Sequence, residues 1–270
     1  MQLTRQRHKV NMEYTVFYSW QSDTPAETNH AFIRSALDKA VAGIATVNEA
    51  PGVEAGIEGI AGTPEVARVV LERVDEAAIF VGDVTFVGEI KRHDGVPKYT
   101  PNPNVQLELG YAGSALGWGR VICVMNEHFG KADRLPFDIR HRRFPVSYLL
   151  SPTSPSDRTA QLEILTEGLR AELVAVRDSD YRAAITALSR LDSGCRASIG
   201  QYRAAERIPE PDPRSFSLGS QSGLDTPRRL SAIGRLLDLG AIRAVQNISS
   251  DTYSYAWTYL GSRIAAKVDA

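Results

Sequence analysis

One carboxylate stands out for its setting. In Pro101-Asn-Pro-Asn-Val-Gln-Leu-Glu-Leu-Gly-Tyr-Ala112, Glu108 falls inside an apolar helix start, just beyond an Asn/Pro turn. Asn104 is expected to cap that helix, because its side-chain oxygen can accept a first-turn N–H. Glu108 then comes one turn later, on the face it shares with Asn104 and Tyr111. Leu107 and Leu109 read as core. Helical side chains tilt toward the N-terminus, so the carboxylate is expected to lean back over the preceding loop. A lone acid on a half-buried turn is a candidate catalyst, and the competing reading is a structural glutamate bonded to its own helix start.

An acid does chemistry only if other groups meet it, and the surrounding elements decide that. From Met12 to about Leu150 strand and helix signals alternate. Tyr14-Thr-Val-Phe-Tyr-Ser-Trp20 is β-branched and aromatic, as a buried strand should be. Thr24-Pro-Ala-Glu27 offers an N-cap, a first-turn proline and a capping-box acid, and apolar residues from Phe32 to Ile44 follow at helical spacing. Strands are expected over 53–60, 77–83 and 120–126, with a capped helix over 66–74, a polar loop over 88–100 and the Glu108 helix between them. Phe144-Pro-Val-Ser-Tyr-Leu149 reads as an edge strand, since its proline cannot donate to a central ladder.

Strands separated by single helices imply right-handed crossovers and a parallel sheet, whose ligands bind beyond the carboxyl ends of the strands. That rule brings together Ser19, Trp20, Gln21 and Asp23 after the first strand, Asp83 and Thr85 after the third, and Asn126 after the fourth. Glu108, at a helix start, lies on the same rim. Singly, each of these is more often a cap or a turn residue.

Composition narrows the classes. With 270 residues, 43% hydrophobic and 23% charged, the chain is long enough for one large or two modest soluble domains. A net charge of −1 gives no electrostatic reason to expect nucleic acid. Cys123 and Cys195 make neither a metal spacing nor a disulfide framework, which suits a reducing cytoplasm, and no metal is expected. No apolar run approaches a membrane span, and the N-terminus lacks the apolar core of a secretion signal. Met12 opens the first recognisable strand, so residues 1–11 read as a disordered extension or an upstream start. The G-x-G-x-x-G and G-x-x-x-x-G-K-[ST] fingerprints are both missing, which removes support for hydride transfer and P-loop ATP hydrolysis.

The second half says less. Residues 151–157 read as a linker, and helical patterns follow over 162–176 and 181–205 until Pro209-Glu-Pro-Asp-Pro213 stops them. A helix over 227–239, closed by Gly240, precedes a β-hairpin over 241–256. A helix plus a β-wing resembles a winged-helix module whose Arg228, Arg229 and Arg235 could meet phosphates. The tail has no strong basic excess, so an interaction or oligomerisation domain is the favoured reading and nucleic acid is not expected. The expected domains are 12–177 and 178–270.

Phe17-Tyr-Ser-Trp-Gln-Ser-Asp23, Ile79-Phe-Val-Gly-Asp-Val-Thr85, the Asn102 to Ala112 segment and Leu135-Pro-Phe-Asp-Ile-Arg-His-Arg-Arg143, taken in order, resemble the bacterial TIR-like nucleotide-binding domains of the Toll/interleukin-1 receptor superfamily. The resemblance covers the first domain only. It implies a flavodoxin-like α/β fold, cleavage of NAD in anti-phage defence, and an essential glutamate that maps onto Glu108. NAD would be substrate rather than cofactor. Nicotinamide leaves NAD as a neutral base, so no acid is needed at the leaving group, and one carboxylate near C1′ can stabilise the oxocarbenium ion that develops. Trp20 or Tyr18 could stack on a base, although a core-edge aromatic is the favoured reading of Trp20, and the amide ends at 63–66 could hold a pyrophosphate. An open rim leaves a dinucleotide exposed, so the resemblance implies a second protomer that closes the site through the loop 56–64, with a mobile lid formed by that glycine-containing loop as the competing reading. A protein or cyclic-nucleotide signal would act through the C-terminal part. The alternatives are a nucleoside deoxyribosyltransferase-like enzyme and a non-catalytic scaffold that binds a nucleotide.

Overall fold

The computed structural model describes residues 15–45, 52–56, 65–91, 93–142, 144–153, 157–190, 215–216, 226–247, 252–257, 260–261 and 264–265. The chain divides into two compact units, Met1–Val176 and Arg177–Ala270.

In the first unit, β1 (Thr15–Ser19), β2 (Gly52–Ala55), β3 (Ile79–Asp83), β6 (Val121–Asn126) and β7 (Val146–Tyr148) form one parallel sheet in the order β2-β1-β3-β6-β7. After β1 the chain goes outward to β2, then returns to place β3 on the other side of β1. The order therefore reverses between β1 and β3, the place where an open α/β sheet leaves a crevice. All five residues of β3 are buried: the apolar run 79–82, as a central parallel strand requires, and Asp83 at its end. β7 lies at the edge as expected, and Pro145 sits just outside it.

Strand alternation sorts the two faces. Phe17 and Phe80 are register partners with stacked rings 6.0 Å apart, and they join Val70 and Val74 of α2 (Val66–Glu76) and Leu109 and Ala112 of α3 (Pro103–Ala112) in one core. Ser19, two residues beyond Phe17, points to the same face as α3. On the opposite face, Phe32 of α1 (His30–Ile44) packs against Tyr148 with ring centroids 5.1 Å apart. Leu165, Leu169 and Leu173 of α5 (Arg158–Arg190) are fully buried at the spacing of successive turns. A Cβ at Gly168 would lie 2.5 Å from Val146 Cγ1, so glycine is what lets α5 settle on β7.

The structure departs from the sequence expectations in several places. Residues 86–101 are not a loop throughout: β4 (Phe86–Lys91) and β5 (Pro97–Pro101) form a separate antiparallel hairpin. Asp94-Gly95, with Gly95 at φ 75°, supplies the left-handed turn that signals a hairpin. α1 begins at His30 rather than after Thr24, because Gln21 Oε1 accepts from the N–H groups of Asp23 and Thr24 (2.5 and 3.1 Å) and holds that segment in a turn. The two helices expected over 162–176 and 181–205 are one helix up to Arg190, and residues 191–205 lie outside the described residues. Leu107, read as core, is 69% exposed.

The short α4 (Phe137–Arg140) precedes β7. In the second unit, α6 (Thr226–Asp238) ends at Gly240, whose φ of 64° allows Gly240 N–H and Ala241 N–H to reach back to the carbonyls of Leu237 and Leu236. β9 (Ile242–Asn247) and β10 (Thr252–Trp257) form the expected hairpin, and β8 (Ser215–Phe216) completes the order β8-β10-β9. Ala184, Ala187, Leu236, Ile242 and Ile264 make the core of this unit.

Candidate functional site at the carboxyl rim

β1 ends on Ser19, and α3 enters beside it carrying Glu108 on its second turn. Ser19 Oγ donates to Glu108 Oε2 at 2.6 Å, across 89 residues of sequence. Glu108 is half-buried, and this burial pushes its carboxyl up from the ordinary range while the Ser19 hydroxyl pulls it back. The result is a carboxylate held at a strand end, short of full solvation, with one oxygen engaged by a hydroxyl.

The start of α3 is fixed twice. Asn102 is the N-cap, its Oδ1 accepting from the N–H groups of Asn104 and Val105 at 2.8 and 3.2 Å. Its Nδ2 donates to Asp23 Oδ2 at 2.7 Å, tying the helix to the loop after β1. The cap therefore falls at Asn102 instead of Asn104. Asn102-Pro-Asn104 offers two capping residues, and Pro103 decides between them, since proline is preferred in the first helical position. Asn102→Ala is expected to cost about 1 kcal/mol in a urea titration. Asn102→Asp keeps the cap but sets two carboxylates together, so at neutral pH it should loosen the Asp23 loop with the helix start retained.

Trp20 follows Ser19 and is 39% exposed, with its indole stacked on the His30 imidazole at 4.5 Å. One indole face is thus supported from behind while part of the ring remains open to solvent. His30 is not among the residues the sequence singles out. The signal for it is its place at the start of α1, which brings it under the residue that follows β1.

The other residues expected on the rim lie beneath it. Asp83, Thr85 and Asn126 are completely buried and Gln21 almost so. Asp83 accepts from Thr85 N–H at 3.0 Å and Gln21 Nε2 at 3.4 Å, and burial raises its carboxyl pKa against these bonds. Thr85 Oγ1 accepts from Asn29 Nδ2 at 3.2 Å and from Asn126 N–H at 3.0 Å. These contacts explain why Asn29, the N-cap of α1, makes no side-chain cap bond: its amide serves the buried network. Asn126 bonds Leu150 through both its ends, Nδ2 to O at 2.9 Å and Oδ1 from N–H at 3.1 Å. Tyr111 OH donates to Asp75 Oδ1 at 2.9 Å, joining α3 to α2. Asn104 is exposed, and Tyr18 is a buried core ring, so the stacking surface at β1 is Trp20 alone of that pair.

The structure thus brings Ser19, Glu108, Asp23 and Trp20 to the carboxyl end of β1, adds Asn102 and His30, and places Gln21, Asp83, Thr85 and Asn126 in the support below. The loop 57–64, with the amide groups at 63–64 expected to meet a pyrophosphate, lies outside the described residues. Among the described residues no cluster of three or more His, Cys, Asp or Glu side chains is arranged to hold a metal ion, and no helix is long and apolar enough to cross a membrane. No protein-family model matches the chain, and no curated protein matches it either.

Proposed function

We infer that the first unit cleaves the N-glycosidic bond of NAD. The observation that carries this reading is the half-buried Glu108 carboxylate, held by Ser19 at the rim where the strand order reverses. Leaving aside the hairpin, the parallel strands run 2-1-3-4-5, the flavodoxin-like order, which supports the TIR-like resemblance carried by the sequence blocks.

In this reaction the C1′–N bond breaks with its electron pair passing to the nicotinamide nitrogen, and positive charge grows on the ribose. Glu108 opposes that charge, and a preoriented carboxylate in a partly desolvated site does so better than water can. Ser19 fixes the carboxylate through one oxygen. Trp20, backed by His30, offers a ring on which a base can stack. Water then adds at C1′ and releases a proton, or an adenine nitrogen closes a ring instead.

Ser19→Ala removes the one contact that lowers the Glu108 pKa, so the acid limb of activity is expected to move to higher pH. Loss of a hydrogen bond to a charged group should also slow turnover about tenfold. A pH–rate profile of the variant checks both. The resemblance further supports a cytoplasmic role in bacterial anti-phage defence, with assembly or a protein or cyclic-nucleotide signal as activator. The helix and antiparallel strands of the second unit suit a winged-helix-like regulatory module.

The test is to incubate the full chain with NAD and, separately, with deoxynucleoside plus free base, following nicotinamide release and base exchange by chromatography. Nicotinamide release supports the proposal. Base exchange without it assigns a deoxyribosyltransferase, and inertness toward both with nucleotide binding assigns a scaffold.

A further inference from the structure

The β4–β5 hairpin is the element that neither the site nor the core uses fully. Phe86, Tyr99 and Pro101 anchor its base, with the Phe86 and Tyr99 rings 5.3 Å apart. Beyond that anchor Gly88, Glu89, Ile90 and Lys91 are all exposed, Ile90 by 53%. A two-stranded hairpin leaves two unpaired edges, each a row of free N–H and C=O groups. The two edges here differ. β5 carries Pro97 and Pro101, which have no N–H to donate, so that edge is blunted. β4 has no proline, and among the described residues its backbone pairs with β5 only.

We propose that the exposed edge of β4 pairs with the same edge of a second copy of this chain, in antiparallel register about a two-fold axis at Ile90. The sequence of β4 selects that occupant. With Ile90 opposite Ile90 of the second copy, Glu89 falls opposite Lys91 and Lys91 opposite Glu89, so two ion pairs form on one face and an aliphatic pair on the other. Opposite charges facing each other across strands stabilise pairing and like charges oppose it. Among the described residues neither Glu89 nor Lys91 has an ion-pair partner within the chain, so both are available. A two-fold contact must be self-complementary, and this one is.

The contact joins the hairpin to the candidate site by the shortest covalent route: β5 ends at Pro101, and the next residue is Asn102, which caps α3 and holds Asp23. A single strand edge is a small contact, and complexes that bury less than roughly 1,200 Å² are typically transient, so a weak dimer is expected.

The experiment is sedimentation velocity on the full chain from about 1 μM to about 1 mM, a range that covers weak association. Wild type should shift from monomer toward dimer across it. Glu89→Lys and Lys91→Glu each replace both ion pairs by repulsions and should each move the midpoint about tenfold higher or abolish association. An equimolar mixture of the two variants restores both pairs, because one chain then carries lysine at both positions and the other carries glutamate at both. That mixture should dimerise as wild type does. Circular dichroism confirms that these exposed substitutions leave the fold unchanged. A wild type that stays monomeric throughout overturns the proposal, as do single variants that associate normally or a mixture that does not recover. The readout is independent of NAD, so this inference and the proposed activity can fail separately.

Discussion

Glu108→Gln is expected to lower NAD cleavage by about 100-fold or more, the usual cost of removing one preorganised electrostatic contact from a transition state. The substitution is nearly isosteric and keeps a side-chain oxygen that can accept the Ser19 hydroxyl, now 2.6 Å from Glu108 Oε2. What disappears is the charge. The fold should therefore persist, and circular dichroism together with nucleotide binding checks that it does. Activity within a few-fold of wild type would remove Glu108 from the reaction.

The same variant makes a prediction about pH. Burial raises the Glu108 pKa in the folded chain. A raised folded pKa means that the native state binds the proton more tightly than the unfolded one, so this group favours folding below the ordinary carboxylate range, and that contribution is lost as pH rises through the folded value. At neutral pH the ionised, half-buried carboxylate thus weighs against folding. Glu108→Gln should be at least as stable as wild type at neutral pH, with the difference closing under acid. Enzyme activity runs the other way, because the ionised form is the working one: its acid limb should lie above the roughly 4.3 of a free glutamate side chain. A site that is costly to fold and needed for turnover is what a catalytic carboxylate implies, whereas a structural glutamate would lose stability on substitution.

Much of the sheet is legible in the sequence because its signals are local. The buried strand 79–83 is an apolar run closed by Asp83, and the alternation Val16, Phe17, Tyr18 names both faces of β1. Topology then puts Ser19 and Glu108 on one rim although nothing in their spacing joins them. The misreadings come from polar residues with more than one use. Thr24 looks like a cap, yet Gln21 reaches its backbone first. Asp83, Thr85 and Asn126 look like rim residues available to a ligand, whereas burial makes each satisfy another group of the protein. Sequence places such residues near a strand end but does not say whether they point up toward solvent or down into the fold, since that depends on which neighbouring loop covers them. The hairpin escapes a sequence reading because the charged residues of β4 and the prolines of β5 dilute a strand pattern, although Asp94-Gly95 marks its turn.

Asn126→Ala is expected to destabilise the first unit by about 3 kcal/mol. Asn126 is fully buried at the end of β6, and its amide is spent entirely on the protein. Nδ2 reaches the carbonyls of Leu150 at 2.9 Å and Thr28 at 3.3 Å, and Oδ1 accepts from the N–H groups of Leu150 and His128, both at 3.1 Å. Truncation leaves both Leu150 backbone groups without the partners they have here, and each unsatisfied buried group costs about 1–3 kcal/mol. Thr28 O suffers less, because Tyr148 OH also donates to it at 2.7 Å. The loss should appear as a lower urea midpoint with an unchanged slope, since a weakened native state need not change the surface exposed on unfolding. If Asn126 instead held the substrate, the variant would keep its midpoint and raise KM. Measuring both on one preparation, at a temperature where the variant is folded, distinguishes a residue that builds the rim from one that binds at it. The bonds made by Asn126 assign it to the first kind.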